Sequence, residues 1–199
     1  MEKGKLLRPA QRELESAERA IVRMKESSTL EEFEDEWRIF LGAIEKCWVK
    51  AERVCQPIRN KFEPWQGRYK KLRKSDPLLK YLYHARHSDQ HSVQEMIEPK
   101  SAQQFMTIGG KGDYVHIEHF SIDGSGRISS YQGSHPIVYH FLPERVELLR
   151  VLSSKKWYDP PRQHLGIELP WSAPIEVASL GLAFYQDFIK SIELEFCEN

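Results

Sequence analysis

The sequence predicts an α+β protein that is mainly α: an antiparallel helical bundle with a small antiparallel β-sheet inserted before the C-terminal helix. Three observations predict it. Apolar residues recur at helical spacing through the first 98 residues, the period changes to alternation around a glycine-rich turn, and helical spacing returns after residue 172. The expected organisation is a single domain over 1–199, with a helical core of 1–98 and 172–196 and a β-rich insertion over 102–170.

Residues 5–26 carry Leu6, Leu14, Ala17, Ala20, Ile21 and Met24 on one side, which predicts an amphipathic helix. Thr29 and Glu32 have the spacing of a capping box, so a second helix starts there and runs to Pro57. Its apolar stripe is Phe33, Trp37, Phe40, Leu41, Ile44, Trp48, Ala51 and Cys55, with Cys47 off the stripe. A third helix is expected from near Pro64 to about Lys74. The fourth takes Asp76 as cap and Pro77 as its first residue, and stops before Pro99.

After residue 100, "GGKGDYVHIEHFSI" alternates like a strand and "DGSG" supplies a hairpin turn. The segments "GRISSYQG", "PIVYHFL" and "VELLRVL" read as further strands of a small sheet. "YDPPRQHLGIELP", with Asp159, Arg162 and His164, reads as a proline-stiffened connector or a functional lid. The last helix places Val177, Leu180, Phe184, Phe188 and Ile192 on one side, too apolar a stripe to stand alone.

Composition narrows the function classes. Lys plus Arg and Asp plus Glu number 29 each, so recognition of a polyanion has to come from a local patch. The three cysteines form no C-x-x-C pair, which argues against a disulfide framework or a zinc ribbon and for a reducing compartment. With no apolar leader and no run of 18 apolar residues, a cytoplasmic protein without a membrane partner is expected.

The chemistry-bearing stretch is "YHARHSDQH", residues 83–91. On a wheel of about 100° per residue with Leu78 at zero, Leu82, Ala85, Val93 and Met96 gather on the core side. Arg86 falls near 80° and Asp89 near 20°, so both charges lie on or beside the buried face as an expected structural ion pair. His84, His87 and His91 fall roughly between 180° and 240°, a stripe facing solvent or a partner. Upstream, Arg59, Lys61, Arg68, Lys70, Lys71, Arg73, Lys74, Lys80 and Arg86 outnumber Glu63 and Asp76, with Trp65, Tyr69, Tyr81 and Tyr83 interleaved. Cations follow phosphates and exposed rings stack on bases, so this stretch suits single-stranded RNA; a solvated lysine face over core aromatics is the plainer reading. The expected RNA contacts are Arg68, Lys70, Lys71, Arg73, Lys74, Tyr83 and His84.

Within "RHSDQH", Arg86 and His91 are spaced R-x4-H, with the polar His87 directly after the arginine. This resembles the catalytic motif of the HEPN superfamily (higher eukaryotes and prokaryotes nucleotide-binding), whose members are small helical bundles and often metal-independent endoribonucleases. The resemblance covers this window and its helical context, and it implies a cytoplasmic ribonuclease of toxin or phage-defence type that needs no metal or cofactor. It further implies Arg86, His87 and His91 as catalytic residues, a homodimer through the R-x4-H face, and a protein antitoxin or regulator as partner. The residue types suit the reaction. Cleavage through the RNA's own 2′-hydroxyl needs a base, an acid and positive charge on the phosphorane-like transition state. His91 serves as base or acid near neutrality, Arg86 grips phosphate oxygens, and His87 supplies a second proton-transfer group or orients the phosphate. The β-rich insertion departs from the usual HEPN bundle. A non-catalytic HEPN-like RNA- or protein-binding module, and a metal-dependent enzyme on His84, His87 and His91, are the competing readings.

Overall fold

In the computed structural model, which describes residues 6–91, 95–109, 114–169 and 173–197 apart from the side chains of 89–91, the helical periodicity of the sequence becomes five α-helices among the described residues. Helix α1 (Arg8–Glu26) buries Leu14, Ala17, Ala20, Ile21 and Met24. At its start Leu7 is buried at 1% exposure whereas Leu6 stands at 37%, so the expected core position shifts by one residue.

Helix α2 (Leu30–Val54) begins at the expected capping box: Glu32 N–H donates to Thr29 Oγ1 at 3.1 Å and Thr29 N–H donates back to Glu32 Oε2 at 3.3 Å. Glu13 early in α1 pairs with Lys50 late in α2, and Arg23 late in α1 pairs with Glu36 early in α2. The two helices are therefore antiparallel. Cys47 is buried along with Cys55, because the core wraps further round α2 than its main stripe. Burial pushes both thiols up to about 12, with Glu13 adding to the shift at Cys47 and Cys197 at Cys55.

The third helix starts earlier than expected. A 3-10 turn at Gln56–Ile58 leads into α3 (Arg59–Ser75), and Pro64 sits inside it rather than at its start. Pro64 forfeits one ladder hydrogen bond; ring packing compensates, with Trp65 against both Phe62 and Tyr69, Trp65 and Tyr69 against Phe188 of the last helix, and Phe62 against its Phe196.

Helix α4 (Pro77–His91) is capped by Asp76, whose Oδ1 accepts from Leu79 N–H at 3.0 Å. Its expected continuation towards Pro99 is corrected: Met96 is buried but lies beyond the helix, just before β1 (Ile97–Lys100). The C-terminal helix α5 (Pro174–Phe196) lies against α1, α2 and α4, and Gln11 early in α1 donates to Glu193 late in α5 at 2.6 Å. At Gly181 the approach to α4 is close enough that a Cβ would sit 2.5 Å from Leu82 Cδ1. Trp48 stacks on Phe188 with centroids 4.5 Å apart.

Strands follow as two-stranded pairs, where the sequence suggested one small sheet. Strands β2 (Gln103–Ile108), β3 (Ile117–Ile122), β4 (Ile128–Gly133) and β5 (Ile137–Leu142) pair antiparallel as β2 with β5 and β3 with β4. The expected turn forms where Asp123 Oδ1 accepts from the N–H groups of Ser125 and Arg127 and Gly126 takes φ 81°. These four strands make up a compact unit of their own, Lys100–Arg145.

The remainder of the expected insertion belongs to the helical unit, which resumes at Val146. Strand β6 (Arg145–Leu148) pairs with β1, and "VELLRVL" breaks in two, giving a separate hairpin of β7 (Val151–Ser153) and β8 (Lys156–Tyr158). A last short pair, β9 (Gln163–His164) with β10 (Ile167–Glu168), lies in the segment read as a connector. His164 Nδ1 lies 3.0 Å from Asp76 Oδ1, and Leu165 N–H donates to Asp76 Oδ2 at 2.7 Å, so the helix cap also ties down this loop.

Candidate functional site

Residues Gly42, Glu45, Lys46, Val49, Lys50 and Arg53 recur every three or four positions, which places them on one side of α2. Against this side α4 sets Arg86 and His87, and together the eight residues line a groove of about 320 Å3. Gly42 is the point of close approach: a Cβ there would lie 3.9 Å from Arg86 Nε, so the arginine stem runs directly over the α2 backbone.

Among the described lining residues the cations Lys46, Lys50, Arg53 and Arg86 outnumber the one carboxylate, Glu45, which is paired with Arg73. Lys50 is paired with Glu13, while Lys46 and Arg53 are exposed. Arg86 and His87 are half-buried on the α4 side of the groove. Tyr83, 36% exposed, meets His87 edge-on with centroids 4.4 Å apart and sits beside the groove.

Of the three residues expected to be catalytic, Arg86 and His87 thus meet in one groove. His91 belongs to α4, but its side chain and that of Asp89, hence the expected Arg86–Asp89 pair, lie outside the described residues.

Two expected RNA contacts are corrected. Arg73 is turned inward: its guanidinium lies 4.2 Å from the Trp48 ring centroid, pairs with Glu45 and keeps only 10% of the side chain exposed. Burial would lower its pKa, but Tyr185 and Glu45 outweigh that and hold it raised. It braces the groove wall from behind.

His84 is the second. Its ring stacks on Tyr158 at 3.5 Å and 12°, with Nδ1 3.2 Å from Ser153 Oγ, so the β7–β8 hairpin covers the face expected to meet solvent. Burial, followed by neighbouring His87, Lys80 and Lys156, lowers its pKa from 6.5 to about 4. His84 is therefore neutral at neutral pH and already committed, and among the described residues no group of three His, Cys, Asp or Glu side chains is placed to hold a metal.

The other basic residues divide. Arg68 lies over Trp65 and Tyr69, and Lys70 reaches Glu52 at 3.3 Å, while Lys71 and Lys74 are exposed on α3. None of the four lines the groove. Of the interleaved aromatics, Tyr69 and Tyr81 are core and Trp65 is half-buried among rings; Tyr83 alone of the four is exposed.

Sequence reasoning missed Lys46, Lys50 and Arg53. Their signal was a second stripe on α2, opposite its apolar one, visible as i, i+4, i+7 spacing. Among the described residues no helix is long and apolar enough to cross a membrane. Comparison with family models, with curated proteins and with solved structures found no match.

Proposed function

We propose that the protein is a metal-independent endoribonuclease of HEPN type acting on RNA phosphodiesters. The observation that carries this reading is that Arg86 and His87, adjacent in an R-x4-H sequence, line one groove with Lys46, Lys50 and Arg53 of α2. A phosphodiester strand is drawn in by the α2 cations. Arg86, permanently charged, binds the non-bridging oxygens and offsets the charge that builds on the phosphorane. His87 and His91 divide the proton transfers: one takes the 2′-hydroxyl proton as that oxygen attacks phosphorus, and the other protonates the departing 5′-oxygen. The products are a 2′,3′-cyclic phosphate and a free 5′-hydroxyl.

The resemblance also supports a cytoplasmic setting, a homodimer through the α4 face that doubles the available groups, a protein antitoxin or regulator, and a role as a toxin or in phage defence. A second reading is favoured by one observation: the described groove is richer in cations than in proton-transfer groups, as a non-catalytic RNA-binding module requires.

The test incubates wild type, Arg86→Ala, His87→Ala and His91→Ala with mixed single-stranded RNA in EDTA. We expect cleavage in chelator, lost at least 100-fold in the Arg86 and His91 variants and reduced in the His87 variant. Binding without cleavage points to the module, and activity abolished by EDTA to a metal enzyme.

A further inference from the structure

We propose that the β2–β5 ribbon is a contact between two copies of this chain, the apolar face of one ribbon packing on the same face of the other. The inference goes beyond the groove and does not depend on the nuclease reading.

The ribbon has two unlike faces. Residues opposite one another in an antiparallel pair share a face, and their neighbours along the strand point the other way. The register therefore sets Gln104, Met106 and Ile108 beside Phe141, Tyr139 and Ile137 on one face, all of them apolar but the glutamine. The other face is mixed: Gln103, Thr107 and His140 stand among its apolar residues, with Thr107 Oγ1 2.7 Å from His140 Nε2.

Nothing within its own unit covers the apolar face. Among the described residues, none of the buried apolar side chains belongs to Lys100–Arg145, so this unit has no buried core. A two-stranded ribbon without a covered face is marginal in water, and holding this one in place takes a partner. Tyr139 and Phe141 are 71% and 62% exposed, Met106 and Ile108 44% and 38%. Taking about 200 Å2 for a large apolar side chain, the face offers roughly 430 Å2 per copy, a patch of the size that marks an interaction site. Exposed Phe120 and Ile122 share one face of β3–β4 by the same alternation. With them, two copies remove roughly 1,200 Å2 from water, the lower bound of a specific interface.

Charge selects the occupant. Strands β2 and β5 contain no Asp, Glu, Lys or Arg, so the face offers nothing to a polyanion and nothing to a protein that pairs by opposite charge. An uncharged apolar face complements itself. In a two-fold dimer the same patch lies on both sides, and like meets like without repulsion.

The experiment is sedimentation equilibrium of the full chain. We expect a dimer with a dissociation constant on the order of 10 µM, in keeping with an interface at the small end of the range. Tyr139→Lys should weaken it at least 100-fold by placing an ammonium group in an apolar contact. Tyr139→Thr, which keeps the preference for strand, should weaken it roughly tenfold. Gln103→Lys lies on the opposite face and should leave the dimer unchanged, with the far-ultraviolet helix signal the same in all three variants. A wild type that stays monomeric well above the expected constant overturns the proposal. So does an equal loss in Gln103→Lys, which would mean pairing through a strand edge or an unfolded ribbon. A dimer untouched by Tyr139→Lys places the contact elsewhere, the α4 face included, and overturns it as well. A monomer that co-sediments with phosphatidylcholine vesicles assigns the face to lipid instead. The nuclease reading is judged on RNA cleavage and stands or falls apart from the dimer.

Discussion

Arg73 shows how one side chain can be basic in sequence and structural in the fold. Its charge is engaged by Glu45 and its plane by Trp48. Arg73→Ala leaves the partly buried Glu45 carboxylate without its partner and opens a gap against the ring, so we expect a loss of about 3 kcal/mol in urea unfolding. Arg73→Lys should recover little, because an ammonium does not reproduce the guanidinium's planar stack. His84 gives a pH signature. The unfolded chain takes up its proton near pH 6.5 and the folded one only near pH 4, so the unfolded state binds more protons between them. The stability it contributes is complete above pH 6.5 and is lost as pH falls towards 4. Melting temperatures measured from about pH 7 down to about pH 5 should fall more steeply in wild type than in His84→Gln. At this scale the helical wheel located Arg86 correctly beside the buried face, since a helix fixes directions along itself. It could not say that a hairpin some seventy residues further on, at Ser153 and Tyr158, covers His84.

Elements were legible wherever their signals are local. The capping box at Thr29, the Asp76 cap and the Asp123 turn are each made by side chains within four residues of the backbone groups they satisfy. Pro64 misled because a proline inside a helix is rare, and only the aromatic packing of Phe62, Trp65 and Tyr69 explains its tolerance. Asp76 also does more than its local signal shows. Besides capping α4 it binds Leu165 N–H and His164, so Asp76→Ala removes the cap and leaves a part-buried donor unpaired. A destabilisation of roughly 2–4 kcal/mol is expected by chemical denaturation. Asp76→Asn, which keeps an oxygen for the cap, should cost less than half as much.

At the scale of the molecule, the chain leaves the helical unit after β1 and returns at β6, the strand paired with it. Paired strands lie about 4.8 Å apart, so the two ends are already close enough for a short turn. Replacing residues 101–144 with a short glycine-containing turn should therefore leave the helical unit folded, with its far-ultraviolet helix signal and cooperative melting retained. A non-cooperative melt would show that the helices need the excised strands. Those strands form two-stranded ribbons with β2 exposed along its length, an arrangement that buries little apolar surface of its own.

From its sequence alone, this protein was determined to be mainly α with a strand-rich interruption, its helix starts set by caps and its core faces by periodicity. Those properties depend on residues a few positions apart, whose geometry the backbone itself dictates. Only the tertiary structure decided that Lys46, Lys50 and Arg53 stand opposite Arg86 and His87, that Arg73 turns inward, and that residues from Val146 onward rejoin the helices. These pairings join positions far apart in the chain. They follow from which apolar faces pack together across the whole core, and no short window of sequence contains that information.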